Sequence, residues 1–549
     1  MTEITTVGDW NAIRAAFSWQ IPPRYNLYED MVGARARRDP DRLALLHLTA
    51  DGAAQAWRFG ALDRASARLA NLFTARGVAR GDRVAVLLAQ SPEALLTHLA
   101  AYRLGAIVVP LFTLFGPEGL AFRLADSGTR LLVTDRANLS KIVEIRDQLP
   151  ALETVLCTGE PAAGNSADIE PEAAAAEALA PLLARASDSQ VPVPTDAETP
   201  AFISYTSGTT GPPKGALHAH RVLLGHLPGV QLTHEICPQA GDRFWTPADW
   251  AWMGGLCNVA MPALKLGVPL VSHRLERFDP ERALWLMTRW EVRNVFLPPT
   301  ALKLMRAAGQ GGEPPALRSI ASAGEALGAE LLDWGRAVFG LTINEFYGQT
   351  ECNMVAGNCA SRLPVRPGWM GKAFPGSEVA VLGLDGTPRP AGDMGEIAVR
   401  RGDAAMFLGY WNRPEKTQEK FAGPWMLTGD EGVMDTAGYL RFASRSDDVI
   451  TSSGYRIGPS EIEDCLTGHP AVEMAAVIGI PDPVRTEAVA AFVTLAPGHV
   501  AGDALAASLI AHVKLRLSPH LAPRQVRFLE AMPTTATGKI MRRSLRDLV

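Results

Sequence analysis

AFISYTSGTTGPPKG (Ala201–Gly215) joins an apolar run to a loop crowded with Ser, Thr, Gly and Lys. The run reads as a buried strand. In the loop, Thr206, Ser207, Thr209, Thr210 and Lys214 offer side chains suited to a polyphosphate. Gly208 and its neighbouring glycines let backbone N–H groups approach the same anion. No G-x-x-x-x-G-K-[ST] spacing fits, which argues against P-loop hydrolysis. Read bare, such a loop is also an ordinary flexible turn; the density of donors beside Lys214 favours phosphate.

Toward the N-terminus the pattern alternates. Ala61–Arg76 has helical spacing, Arg83–Leu88 reads as a buried strand, and Pro92–Leu104 as a helix. Ala106–Leu111 (strand), Gly116–Asp126 (helix) and Arg130–Asp135 (strand) continue it. Such βαβ units build a parallel sheet, with ligand loops at the carboxyl ends of its strands. Residues Gly159–Pro200 shift to Ala, Glu, Pro and Ser, a surface connection with one helix expected over Pro171–Ala186. Beyond the loop the alternation resumes with Val268–Ser272, a helix from Pro280, Asn294–Pro299 and Ser319–Gly324. After Gly371 short strands between Gly/Pro turns indicate a small β-rich subdomain. A boundary is expected near Arg445–Asp448, ahead of a final segment of about one hundred residues, a domain-sized length.

The chain has 549 residues, 47% of them hydrophobic, enough for several cores. Its net charge of −5, with basic residues scattered, argues against a nucleic-acid partner but leaves room for small anions. Six cysteines without C-x-x-C spacing point to neither a disulfide framework nor a zinc site, and fit a reducing compartment. The N-terminus resembles neither a signal nor a transit peptide, and no apolar run of about 18 residues occurs. A soluble, cytoplasmic protein without membrane insertion is the expectation.

YTSGTTGPPKG resembles the phosphate loop of the adenylate-forming superfamily, which holds acyl-CoA synthetases, peptide-synthetase adenylation domains and luciferases. Four further motifs follow in that superfamily's order. They are SAGEAL (Ser322–Leu327), NEFYGQTE (Asn344–Glu351), TGD (Thr428–Asp430) with RSDDVITSSGYRIGPSEIE (Arg445–Glu463), and PTTATGK (Pro533–Lys539). The resemblance spans about Tyr25 to Leu548 and is nearest to medium-chain acyl-CoA synthetases. It implies an α/β fold in two parts. Residues 1–446 would form a large domain of parallel α/β sheets plus the β subdomain; residues 447–549 would form a mobile α+β domain. It also implies a reaction: acid, ATP and CoA give acyl-CoA, AMP and pyrophosphate through an acyl-adenylate, with Mg²⁺ on the phosphates.

Each motif has a physical reading beside this. Gly324, Glu325 and Ala326 end a strand, where backbone groups can read an adenine edge. Tyr347, among Glu345, Phe346, Gly348 and Gln349, offers a flat face to the purine, although a lone Tyr at a strand end is more often core. Thr350 and Glu351 supply hard oxygens, and by resemblance Glu351 binds the metal. Asp430 suits the ribose hydroxyls, with Arg445 in support. Lys539 is matched to the lysine that neutralises charge built up as a carboxylate attacks the α-phosphate. Asp447 is matched to a hinge that swings in Gly454, which has no side chain to block a pantetheine channel. Arg456 is matched to an arginine near the phosphate, and Ser453 and Lys514 to CoA contacts.

For the acid, two-carbon synthetases carry Trp where this chain has Gly348, and Val where it has Ala323. Both changes remove bulk, so a medium-chain, branched or aromatic acid is expected, and Gly348→Trp should restore a preference for short acids. PADWAWMGG (Pro247–Gly255) supplies the opposite wall, where Trp250, Trp252 and Met253 set the depth. The alternative on the same fold loads a carrier-protein thiol or an amine. A catalytically dead nucleotide-binding regulator would lack Lys539, Glu351 or Asp430, and all three are present. The context of Lys539 also resembles sites controlled by a lysine acetyltransferase and deacetylase.

Overall fold

The computed structural model describes residues 4, 8–49, 52–159, 176–206, 212–273, 275, 277–309, 314–445, 448, 450–452, 455–482, 486–517, 521–535 and 540–549. Helix boundaries follow from local chemistry. Pro92–Leu104 begins where the Ser91 side chain accepts the Ala94 N–H at 3.1 Å, and stops at Gly105, which turns left-handed at φ 64°. Asp135 caps Arg136–Ile145 in the same way through Asn138.

Among the described residues an eight-stranded sheet runs in the order Gly409–Tyr410, Lys214–Ala219, Pro200–Thr206, Ile107–Pro110, Arg83–Leu87, Leu131–Asp135, Thr154–Thr158, Glu177–Ala178. The interior pairings are parallel, as alternation with helices requires. One edge departs from the expected parallel order: Pro200–Thr206 and Lys214–Ala219 form an antiparallel hairpin, with Thr206 opposite Lys214. The phosphate-loop sequence runs between the paired residues Thr206 and Lys214, and 207–211 of it fall outside the described residues. Gly215 is required by packing there, since a Cβ would lie 2.6 Å from Ile203 Cγ2. The helix expected over Pro171–Ala186 is shorter than its composition implied. Leu179–Arg185 is helical, Glu177–Ala178 is an edge strand, and 171–175 fall outside the described residues.

A second, nine-stranded sheet runs Lys372–Ala373, Cys352–Gly357, Asn344–Gln349, Ser319–Ser322, Asn294–Phe296, Phe244–Trp245, Leu270–His273, Leu43–Leu48, Ala54–Arg58. One apolar core, including Phe73, Leu99, Phe202, Leu227, Met253 and Phe346, packs against both sheets and fixes them together. The β subdomain pairs Val379–Leu382, Met394–Arg400, Trp425–Met434, Phe421–Ala422 and Leu440–Arg445. Arg445 ends its last strand; Ile450–Ser452, a few residues on, belongs to the C-terminal sheet. That sheet (Tyr455–Ile457, Ile450–Ser452, Thr486–Leu495, Val472–Asp482, with Gln525–Phe528) has its own core of Ile450, Ile462, Val477 and Val493. The architecture is therefore a large α/β domain with a β subdomain, followed by an α+β domain.

Candidate active site

Three strands deliver the site. Asn344–Gln349 ends at the turn holding Thr350 and Glu351, Trp425–Met434 carries Asp430, and Leu440–Arg445 places Arg445 directly opposite it. Arg445 Nε lies 3.1 Å from one Asp430 oxygen, and the Tyr347 hydroxyl donates to the other at 2.6 Å. Each carboxylate oxygen carries two lone pairs, so Asp430 is an acceptor of the kind that hydroxyl donors need. Tyr347 differs from its sequence reading: it is only 9% exposed and packs among Ala216, Val355, Val381 and Ile397. Burial and the Asp430 charge raise its phenol pKa well above the usual value, which keeps it a donor.

Glu351 is buried, and its carboxylate accepts a hydrogen bond from the Tyr410 hydroxyl. Its carbonyl accepts the Phe407 N–H at 2.8 Å. The Lys214 ammonium stands 4.7 Å from the centre of the Tyr410 ring, so the hairpin and Glu351 share one aromatic partner. Gln349 Nε2 donates to the Thr428 carbonyl at 3.0 Å, tying the Glu351 turn to the Asp430 strand. Among the described residues no group of three or more His, Cys, Asp and Glu side chains could cage a metal. A lone buried carboxylate beside Thr350 fits Mg²⁺, which is commonly held by one protein oxygen and the phosphates of its substrate.

The loop holding Gly324, Glu325 and Ala326 follows the strand Ser319–Ser322. Gly324 takes φ 104°, and the Leu327 N–H donates to Glu345 at 3.1 Å. Glu345 is buried, and burial pushes its carboxyl up to about 8; the Asp464 charge adds to this and the Leu327 N–H opposes it. Glu325 accepts from Thr300 at 3.1 Å, and Ala326 lies between these two anchors. The Trp252 ring covers Gly324: a Cβ there would touch it at 3.4 Å. Trp252 packs on Phe296, and Phe296 on Phe346, at centroid distances of 5.7 and 5.6 Å. The segment Pro247–Gly255 and the loop at Gly324 thus meet at Trp252.

The other pocket residues separate. Ala323 is buried next to Gly324. Trp250 and Met253 are buried in the main core, with Met253 Sδ 3.7 Å from Cys257 Sγ. Gly348 corrects the sequence argument. A Cβ at Gly348 would lie 2.4 Å from the Met354 backbone nitrogen and 2.8 Å from Asn353 Cα. The bulk missing from Gly348 therefore leaves no open space; the neighbouring strand fills it, at a register shift between Tyr347 and Gln349.

Ser207, Gly208, Thr209, Thr210, Asp447, Ser453, Gly454 and Lys539 lie outside the described residues, as does the Arg456 side chain. The Arg456 backbone sits in Tyr455–Ile457, opposite Thr451. Lys514 is exposed in the last turn of Asp503–Arg516. Sequence reading missed Tyr410 and Lys420, and gave Thr428, quoted within the TGD motif, no role of its own. Tyr410 stands in FLGYW with no motif around it, and its partner is 59 residues away. Among the described residues all six cysteines are free, and no helix is long and apolar enough to cross a membrane.

The donors and carboxylates gathered on these strands of an α/β domain, with an α+β domain after it, fit an adenylate-forming enzyme. The chain belongs to the AMP-binding enzyme family, which it matches over residues 32–411, and its residues 461–539 match the AMP-binding enzyme C-terminal domain. It is 34% identical to the mitochondrial acyl-coenzyme A synthetase ACSM2 of Rattus norvegicus, over 96% of this chain and 92% of that one. An acyl-CoA synthetase of Brucella canis shares 34% identity and a TM-score of 0.75, covering 99% of both chains. The anthranilate CoA ligase AuaEII, solved with anthranoyl-AMP, shares 28% identity and a TM-score of 0.85, covering 96% of this chain and 98% of that one. The chain is an ATP-dependent, AMP-forming acid–CoA ligase, with acid, ATP and CoA as its small-molecule substrates.

Proposed function

We propose that this ligase binds ATP at Asp430, Arg445 and Tyr347, with Thr206–Thr210 and Lys214 toward the phosphates. Glu345 and Phe346 would hold the adenine-side loop Gly324–Ala326, Gly348 and Gln349 would set the turn, and Thr350 and Glu351 would hold Mg²⁺. The observation that carries this reading is that Glu351 and Lys214 meet on Tyr410, while Gln349, two residues before Glu351, bonds the strand that carries Asp430. A carboxylate oxygen of the acid attacks the α-phosphorus and pyrophosphate leaves, while the Lys539 ammonium offsets charge on the nonbridging oxygens. Bound Mg²⁺ supplies charge neutralisation to the phosphates. The domain 447–549 then turns about Asp447, bringing Gly454 to the channel, with Arg456 toward the phosphate and Ser453 and Lys514 toward CoA. The CoA thiol loses its proton, its sulfur attacks the acyl carbon, and AMP leaves.

The acid we assign is medium-chain, branched or aromatic. Small Ala323 and the Trp252 wall support this, as does the anthranilate ligase among the similar structures. Each buried methylene contributes about 0.8 kcal/mol, roughly fourfold in affinity. Hexanoate should therefore exceed acetate by about two orders of magnitude in kcat/KM. Measuring acetate, butyrate, hexanoate and benzoate settles this; a preference for acetate would mean that Trp250 and Met253 close the cavity. We also read Lys539 as a point of control by acetylation, since an acetyl group removes its charge. We read the enzyme as cytoplasmic, which free thiols fit and cell fractionation tests.

A further inference from the structure

Lys420 belongs to none of the motifs, yet it sits where the two carboxylate-bearing strands join. It follows the helix Pro414–Glu419 and precedes the edge strand Phe421–Ala422. Its backbone is held on both sides: its N–H donates to Thr417 at 3.1 Å and its carbonyl accepts Leu427 N–H at 2.8 Å. The ammonium donates to the Thr428 carbonyl at 3.1 Å, the same oxygen that Gln349 already engages. Thr428 is two residues from Asp430, and Gln349 two residues from Glu351. The Lys420 charge interacts with Glu351 and Asp430, and also with Arg445 and Lys214. Glu396, whose carboxylate accepts the Gly429 N–H at 2.8 Å, feels it as well.

A partly buried ammonium is costly unless something uses its charge. Burial lowers the Lys420 pKa, while Glu351 and Asp430 resist that fall. The Thr428 carbonyl already has the Gln349 amide, so closing the strand junction does not require a cation. Four carboxylates (Glu351, Asp430, Glu396, Glu431) and three cations (Lys214, Lys420, Arg445) share this region. Removing Lys420 deepens its excess of negative charge in front of a polyphosphate.

We infer that Lys420 is a further positioning residue of the nucleotide site, a fixed cation that serves the ATP-bound stage more than the acyl-AMP stage. The inference rests on the assignment of Asp430 and Glu351 to ATP. ATP with its metal carries more negative charge than acyl-AMP, so the two half-reactions should respond unequally.

The test compares Lys420→Met, Lys420→Arg and Asp430→Ala in the full-length enzyme. Pyrophosphate release reads adenylation; thioester formation from supplied acyl-AMP and CoA reads the second step. Lys420→Met should raise KM for ATP on the order of tenfold, with kcat changed less, as loss of one unit charge at a partly buried site implies. Thioester formation should change by less than about twofold, and Lys420→Arg should restore KM. Equal loss in both half-reactions, or an unchanged KM for ATP, overturns the inference. If Asp430→Ala also leaves KM for ATP unchanged, the nucleotide-site assignment itself fails. If Asp430→Ala raises it and Lys420→Met does not, only the role of Lys420 falls.

Discussion

The Tyr410 hydroxyl is the hydrogen-bond donor that the structure shows on Glu351, and no sequence pattern announces it. A hydrogen bond to a charged acceptor contributes about 1.5–3 kcal/mol. Tyr410→Phe should therefore raise the Mg²⁺ concentration needed for half-maximal pyrophosphate release by about tenfold, with the ring still under Lys214. An unchanged magnesium requirement would remove Glu351 from the metal site. Glu345 gives a pH test. Its folded pKa of about 8 lies above that of an unfolded glutamate, so its contribution is complete at acid pH and is lost as pH rises through 8. Glu345→Gln should flatten the fall in denaturation midpoint between pH 5 and pH 8.5 and exceed the wild type by about 2 °C at the alkaline end. Asp430, Arg445 and Glu351 were legible in the sequence because they lie in ordered motifs. Tyr410 was not, because its partner is 59 residues away in the chain; Lys420 lies only eight residues from Thr428 but outside every motif.

Elements that pack by periodicity were read nearly to the residue. Pro92–Leu104 has a cap and a stop in the sequence itself, and Leu131–Asp135 is a short buried apolar run. The hairpin that carries the phosphate loop was harder, since Lys214–Ala219 holds glycine, lysine and histidine among its apolar residues. At Gly348 the sequence misled: a missing side chain resembles a cavity until the neighbouring strand is placed. Because a Cβ there meets the Met354 backbone, Gly348→Trp should not convert the enzyme to acetate. We expect it to lower the denaturation midpoint and depress activity on every acid, as overpacking costs typically about 1–3 kcal/mol even for smaller insertions. A stable variant with raised kcat/KM for acetate would show that the strand Cys352–Gly357 yields and that the pocket lies on the side facing Gly348.

For the whole molecule, the question is whether one active site serves two reactions by moving a domain. The C-terminal sheet has its own core, which the proposed turn about the segment after Arg445 requires. Lys539→Ala should abolish acyl-AMP formation and spare thioester formation from supplied acyl-AMP. Gly454→Leu should do the reverse, and Asp447→Pro should hold one state by fixing the hinge torsion. Equal loss of both steps in the Lys539 and Gly454 variants would contradict the rotation. Beneath this stands the claim that the acid is activated on AMP, and isotope transfer tests it most directly. With acid labelled by ¹⁸O in its carboxylate, turnover with ATP and CoA should place one labelled oxygen in the phosphate of the AMP formed with each acyl-CoA. Label appearing in inorganic phosphate, or AMP formed without label, would contradict an acyl-adenylate route.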